Sequence, residues 1–434
     1  MKVAFTSLGC AKNLIDSEQM VALVTAAGHE IVSDPAQADA AVVNTCAFID
    51  AAQQEAIDAI LEMAELKKTG SLRRLVVTGC LPQRYQGDIL AELPEIDAVL
   101  GTGSFPDIVE ALESGERHFA RFLDKNAPLP ELDRAISTGP AWAYLKVADG
   151  CDNRCAYCVI PSIRGKYRSR PMEAVLKEAR AMAAGGVKEL ILVAQNLTHY
   201  GRDFRDGTTL ASLLRELAKI DGVEWIRLHY LYPHEITDEL IDVIASEPKV
   251  LKYIDMPIQH VNDAILRRMR RPETKAQICA MIEKLRARID GVVLRTSLIV
   301  GLPGEGEAEV EELMDFLRQT RLERAGVFVF SPQEGTAAYD MTDRCTPEEA
   351  EVRRDRVMDL QNRIMDEYDR EQIGRVFTVL CEGREEDLWF GRRYADSPDI
   401  DEQVYFTAAE AVPGSFTRVR ITGAENGCLF GEEA

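Results

Sequence analysis

The sequence predicts a multidomain α/β protein: an N-terminal parallel α/β sheet domain, a central partial (β/α)6 barrel, and a small C-terminal antiparallel β-barrel. Three observations predict it. Short apolar runs alternate with helix-period segments over roughly the first hundred residues, the pattern of a parallel sheet covered by helices. The alternation restarts near residue 140 and supplies six strand–helix units, short of the eight that close a full barrel. From about residue 375 the helical period disappears and five short strand-like runs follow one another. A chain of 434 residues exceeds one ordinary core, so several domains are expected, and their boundaries read as 1–112, 137–370 and 373–434.

Each element has a local justification. KVAFTSLG, ADAAVVNTC and RRLVVTGC are apolar runs with strand character. SEQMVALVTAAG and AAQQEAIDAILEMAELKKTG have helical spacing and stop at Gly28 and Gly70. Residues 112–137 lose periodicity and carry Pro128 and Pro130, the marks of a linker with some local structure. The second series offers the strands WAYLKVADG, ELILVAQN, VEWIRLHYLY, LKYIDMPIQ, VLRTSLIVG and AGVFVFSP, separated by helices such as MEAVLKEARAMAAGG and EAEVEELMDFLRQT. TPEEAEVRRDRVMDLQNRIMDEYDREQIG is a long helix: Thr346 caps it, Pro347 suits its first turn, Glu349 completes a capping box and Gly374 ends it. VFTVLCEG, DLWFGRR, EQVYFTA, FTRVRITG and GCLFGE are the expected barrel strands.

Composition narrows the class. Hydrophobic content of 46% and charged content of 28% describe a globular protein with enough apolar surface for a core. No apolar run approaches the roughly 18 residues of a membrane span, and the N-terminus has too short an apolar region for a secretion signal. A cytoplasmic protein with reduced thiols and no membrane partner is expected, so ten cysteines point to metal or catalysis rather than to disulfides. The net charge of −21 argues against a nucleic-acid footprint and for a basic protein partner.

The cysteines fall in two sets. Cys10, Cys46 and Cys80 each sit just past the apolar part of one N-terminal strand. In an open parallel sheet those strand ends share one edge, where such folds bind ligands, so three thiols distant in sequence would meet as a metal site. The stretch DGCDNRCAYC supplies Cys151, Cys155 and Cys158, on the loop after the first barrel strand. Three close thiolates match neither a closed four-ligand zinc site nor a disulfide framework. They do match three irons of an iron–sulfur cube, leaving the fourth iron open to a small molecule. Gly301 and Gly304, in the stretch LIVGLPGE, would let backbone approach a ligand closely. Gln195 and Asn196, and Gln259 and His260, end strands and could reach the barrel mouth. The basic stretch RGKYRSRP, from Arg164, would face a carboxylate or a phosphate. Cys279, Cys345, Cys381 and Cys428 fit no motif and read as structural.

The CxxxCxxC spacing on the first loop of a partial barrel resembles the radical S-adenosylmethionine superfamily. That resemblance implies S-adenosylmethionine on the open iron, a 5′-deoxyadenosyl radical as the reactive product, and Tyr157 as an aromatic against adenine. Gln195, Gly301 and Gly304 then become candidate S-adenosylmethionine contacts. With both cysteine sets, the whole chain resembles the methylthiotransferases, whose C-terminal barrel is a TRAM domain. The family likeness implies two 4Fe–4S clusters, one on Cys151, Cys155 and Cys158 and one on Cys10, Cys46 and Cys80, with sulfur delivered at the second. Two molecules of S-adenosylmethionine are implied, one methyl donor and one radical source. No catalytic residue beyond the cluster ligands is implied.

SLGCAKNLIDSEQM, MPIQHVND, FSPQEGT and DSPDIDEQVYF look like the ribosomal-protein branch of the family. That branch methylthiolates an aspartate β-carbon of small-subunit ribosomal protein S twelve; the alternative is a tRNA adenosine substrate. From Gly374 to Ala434 there are six Arg, no Lys and twelve Asp plus Glu, a charge that suits a basic protein better than phosphates. An electron donor such as flavodoxin or ferredoxin and a monomeric state complete the expectation.

Overall fold

The computed structural model describes residues 1–70, 72–401 and 403–434. The chain forms two compact units. The first comprises Met1–Ser137, Lys146–Ala174 and Ser331–Tyr339, and the second comprises Thr138–Leu145, Val175–Phe330 and Asp340–Ala434.

The first unit is built on six parallel strands: β1 (Lys2–Ser7), β2 (Glu30–Val32), β3 (Ala40–Thr45), β4 (Arg74–Gly79), β5 (Ala98–Leu100) and β6 (Phe119–Arg121). Their order across the sheet is β2-β1-β3-β4-β5-β6. All six residues of β3 are buried, because helices cover both faces of a central parallel strand. Adjacent residues alternate between faces. Val43 and Val77 pack with Ile60 and Met63 of α2 (Asp50–Thr69), whereas Val42 and Val76 pack with Met20 and Val24 of α1 (Ala11–Ala26). Each such valine contributes about 1.5–3 kcal/mol by leaving water.

Three strands escape the sequence pattern. β2, β5 and β6 have three residues each, too few to show a period. β6 comes from the stretch expected to be a linker, and it completes the sheet edge by pairing with β5. Beyond it, residues 122–137 hold no regular element. Buried Glu18 of α1 anchors their end: its carboxylate accepts from Arg134 and, at 2.7 Å, from the backbone N–H of Ser137.

The expected first barrel strand is shorter than WAYLKVADG. β7 (Trp142–Lys146) ends early, and β8 (Ala148–Asp149) pairs antiparallel with β9 (Arg168–Ser169).

In the second unit, β10 (Glu189–Val193), β11 (Trp225–Leu228), β12 (Val250–Asp255), β13 (Val293–Val300) and β14 (Arg324–Val329) continue from β7 in sequential order. The pairs from β10 to β14 are parallel, giving the open six-stranded partial barrel. The long helix spans Pro347–Arg370 and carries the expected capping box, with Thr346 Oγ1 accepting from the N–H of Glu349 at 3.2 Å.

Five strands then close a barrel: β15 (Val376–Glu385), β16 (Leu388–Arg392), β17 (Val404–Thr407), β18 (Phe416–Glu425) and β19 (Cys428–Glu433). Its order is β15-β16-β17-β19-β18, and one pair departs from the antiparallel expectation: β17 and β19 run parallel. They are not consecutive, so no hairpin constrains them. Glu402, the first residue of the expected strand EQVYFTA, lies outside the described residues. Among the described residues no helix is long and apolar enough to cross a membrane.

The segment between β16 and β17 lies against the partial barrel. Buried Glu189 of β10 accepts from Arg227 of β11 and from Arg392, each at 2.6 Å. His229 meets Ser397 Oγ at 2.9 Å, and Tyr253 donates to Asp401 at 2.5 Å. Asp396 accepts from Arg393 at 2.8 Å and Arg324 at 3.3 Å, and Arg324 also reaches Asp369 at 3.1 Å.

Candidate functional site

The strand order of the first sheet reverses between β1 and β3, which opens a crevice at their C-terminal ends. Cys10 follows β1, Cys46 follows β3 and Cys80 follows β4, so the topology delivers all three thiols to that crevice. Cys10 stands in extended conformation as the residue before α1, and its carbonyl accepts from the N–H of Asn13 and Leu14. Gly9 has φ +92°, and a Cβ there would lie 2.7 Å from Cys46 Cβ, so only glycine permits this approach. Asn13 Oδ1 lies 3.8 Å from Cys80 Sγ, while its amide donates to the carbonyls of Leu8 and Thr45.

Cys151, Cys155 and Cys158 lie in the same unit. Their loop is held by its own backbone: Cys151 N–H donates to Gly165 at 3.1 Å and Cys158 N–H to Cys155 at 3.1 Å. Gly150, at φ +82°, leaves no room for a side chain, since a Cβ would sit 2.1 Å from the carbonyl oxygen of Lys166. Val159 and Ile163, just after the loop, join the hydrophobic core beneath the first sheet. Cys151 and Cys155 are buried; Cys158 and Tyr157 are partly exposed.

One guanidinium joins the two cysteine sets. Arg164 is 3% exposed. Its Nη1 donates to Asp16 at 2.8 Å and to Asp149 at 3.1 Å. Its Nη2 donates to Asn13 Oδ1 and reaches Cys80 Sγ at 3.8 Å. Lys146 completes the network on Asp16. The carboxylate expected opposite the basic stretch is therefore the protein's own. Arg170, from the same stretch, likewise pairs with Glu131.

Burial pushes the Cys80 thiol up to about 12, against the pull of Arg164, and burial also raises Cys46. Such thiols ionise only beside fixed positive charge, which a cationic iron core supplies. None of the ten cysteines forms a disulfide. Among the described residues no three His, Cys, Asp or Glu converge on one ion position. A cube does not ask for that, because each thiolate takes a different iron. Both triads fit such a group in donor type and number.

The remaining candidates lie in the second unit, past the C-terminal ends of their strands: Gln195 after β10, Gly301 and Gly304 after β13. Gly301 has φ +76° and Gly304 φ +84°, but both are also crowded by their own chain. A Cβ on Gly301 would lie 2.8 Å from Ala350 Cβ, and one on Gly304 would lie 3.0 Å from Arg268 Nη1. Glu305 shapes this loop: buried, it accepts from Gly301 N–H at 2.8 Å and from Arg353 at 2.9 Å. His260 is buried with Nδ1 accepting from Asn262 N–H, and its Nε2 lies 3.6 Å from Glu305 Oε2. Asn196 donates to Glu235 at 2.7 Å. Burial would raise the Glu235 carboxyl, but hydrogen bonds from His199 and Asn196 and the charge of Arg202 bring it down to about 2.

Asn13, Asp16 and Asp149 were not legible as functional. Their only sequence signal is adjacency to a cysteine motif, in GCAKNLID and in DGC.

Comparison with known proteins places this geometry. Residues 2–101 match the model "Uncharacterized protein family UPF0004", residues 145–317 the radical SAM superfamily and residues 373–433 the TRAM domain. "Ribosomal protein uS12 methylthiotransferase RimO" of Lachnoclostridium phytofermentans is 47% identical over 99% of this chain and 99% of its own. The protein of that name from Geobacter sulfurreducens is 47% identical over 99% of this chain and 98% of its own. In fold, the chain is similar to the radical S-adenosylmethionine methyltransferase TsrM of Kitasatospora setae, with TM-score 0.58 at 15% identity over 78% of this chain and 77% of that one. The fold and the superfamily match define a radical S-adenosylmethionine enzyme. Within that class the chain belongs to the RimO family of methylthiotransferases.

Proposed function

We propose that this enzyme replaces a C–H bond at the β-carbon of one aspartate in small-subunit ribosomal protein S twelve by a C–S–CH3 group, with S-adenosylmethionine as both methyl donor and radical source. The observation that carries the reading is the gathering of two cysteine triads in one compact unit, in a chain whose relatives are named for the uS12 reaction. Cys151, Cys155 and Cys158 would hold one 4Fe–4S cluster, and Cys10, Cys46 and Cys80 a second. When bound, the first supplies one-electron cleavage of S-adenosylmethionine and the second a site for the sulfur to be inserted.

The chain's own residues bind, orient and shield. Gln195, Gly301 and Gly304, with Tyr157, are the proposed S-adenosylmethionine contacts. Glu305 fixes the Gly301–Gly304 turn by taking the Gly301 N–H on its own carboxylate. The apolar packing of Val159 and Ile163 keeps water from one side of the cysteine loop. Residues 1–112 serve the second cluster, 137–370 the radical chemistry and 373–434 the substrate. The excess of acidic residues in that last stretch favours a basic protein over tRNA. Flavodoxin or ferredoxin is the proposed electron donor.

The test is an anaerobic competition assay with reconstituted enzyme, reductant, sulfide, S-adenosylmethionine and two substrates, the ribosomal protein and unmodified tRNA. Mass spectrometry locates the added methylthio group. Addition on an aspartate is the expected outcome; addition on a tRNA base would overturn the substrate assignment while leaving the chemistry.

A further inference from the structure

We propose that Arg164 is a positioning residue for the second cluster, whose buried charge sets that cluster's reduction potential. The inference rests on the reading that Cys10, Cys46 and Cys80 hold a 4Fe–4S cluster.

Arg164, Lys146, Asp16 and Asp149 form a buried quartet of two cations and two carboxylates. Its charges cancel in sum but not in direction. The carboxylates take Nη1 of Arg164, at 2.8 and 3.1 Å, while Nη2 faces Asn13 and Cys80 Sγ, the latter at 3.8 Å. The positive end of the quartet therefore points at a cluster ligand. Arg227, by comparison, ends on Glu189 and the carbonyls of Tyr394 and Arg393, whereas the fork of Arg164 adds a thiol to its carboxylates and amide.

The electrostatics have a definite sign. Three thiolates on a 2+ core carry a net −1, and one added electron makes it −2. A buried guanidinium on a buried ligand sulfur stabilises the reduced form more than the oxidised one. Without Arg164, Lys146 would face two carboxylates, leaving net negative charge beside Cys80. Loss of Arg164 therefore lowers the potential on both counts, by removing the cation and by leaving the uncompensated carboxylate. The step concerned is the transfer of one electron from dithionite to the cluster, with no bond made or broken.

The experiment uses the full chain carrying Cys151→Ala, Cys155→Ala and Cys158→Ala, so that only the second cluster can assemble. After reconstitution, iron is counted and the cluster is titrated with dithionite under electron paramagnetic resonance. The parent is compared with Arg164→Met, Arg164→Lys and Arg164→Met/Asp149→Asn. About four irons per chain are expected. Arg164→Met should shift the midpoint to lower potential and Arg164→Lys should shift it less. The Asp149→Asn addition, which restores local neutrality, should recover at least half of the shift. Equal potentials across the series, or a shift that Asp149→Asn does not reverse, would overturn the inference. If Arg164→Met fails to fold or load iron, the lysine variant against the compensated double decides. Absence of iron from the parent would instead overturn the cluster reading, leaving Arg164 a structural bridge.

Discussion

Arg164 and Arg392 are buried to nearly the same degree, 3% and 1% exposed, and each knits distant parts of its own unit together. Arg392 ends on Glu189, Glu382 and the carbonyl of Asp396. Arg164 ends on two carboxylates, an amide and a thiol. Burial with pairing is thus common to a structural network and to one beside the chemistry. The atom at the far end of the fork separates them. A carboxylate completes a charge pair; a thiol beside two further thiols places the arginine on a proposed cluster ligand.

Four substitutions test that contrast. The largest effect is expected from Cys80→Ala. Methylthio transfer should fall to background and iron from about eight to about four per chain, read by iron assay on the reconstituted enzyme. Next is Glu189→Gln. It leaves buried Arg227 without its carboxylate and Arg392 with that of Glu382 alone, and should cost about 3–5 kcal/mol in urea unfolding with iron per folded chain unchanged. An equal loss of iron would mean that the second unit's network is not merely structural.

Asp396→Asn should act more gently and through pH. Burial would raise the Asp396 carboxyl, but Arg393 and Arg324 outweigh it and hold the group at about 2. The ordinary carboxyl titrates near pH 4, so this aspartate's contribution is complete above roughly pH 4 and fades as pH falls through about 2. It amounts to roughly 2 kcal/mol. Unfolding of the asparagine variant should lack that acid-limb slope; an unchanged slope would remove Asp396 from the network. Smallest of all is Arg318→Ala. Its partners Glu311 and Asp315 are exposed with it, and the urea midpoint should not move measurably.

What the sequence reveals follows from how local each signal is. Cys10, Cys46 and Cys80 are legible because each ends an apolar run, and the geometry of a parallel sheet does the rest. Cys151, Cys155 and Cys158 are legible because their spacing is itself the chemistry. The partners of Arg164 are not, because Asp16 lies 148 positions away and a long-range ion pair leaves no period. β5 and β6 are hidden by their three-residue length, and the parallel pairing of β17 with β19 by its non-consecutive topology. Gly301 shows the opposite limit: a glycine singled out for ligand approach is also demanded by Ala350.

The segment that seats Arg392 on Glu189 joins residues 203 positions apart. During synthesis the partial barrel is complete long before that arginine leaves the ribosome. Until then Glu189 lacks Arg392, Arg227 lacks the carbonyls of Tyr394 and Arg393, and His229 and Tyr253 lack Ser397 and Asp401. Translation therefore withholds the barrel's last partners until nearly the end. A nascent chain stalled before residue 392 should be open to proteolysis at the barrel floor, and one released with its last strands should not.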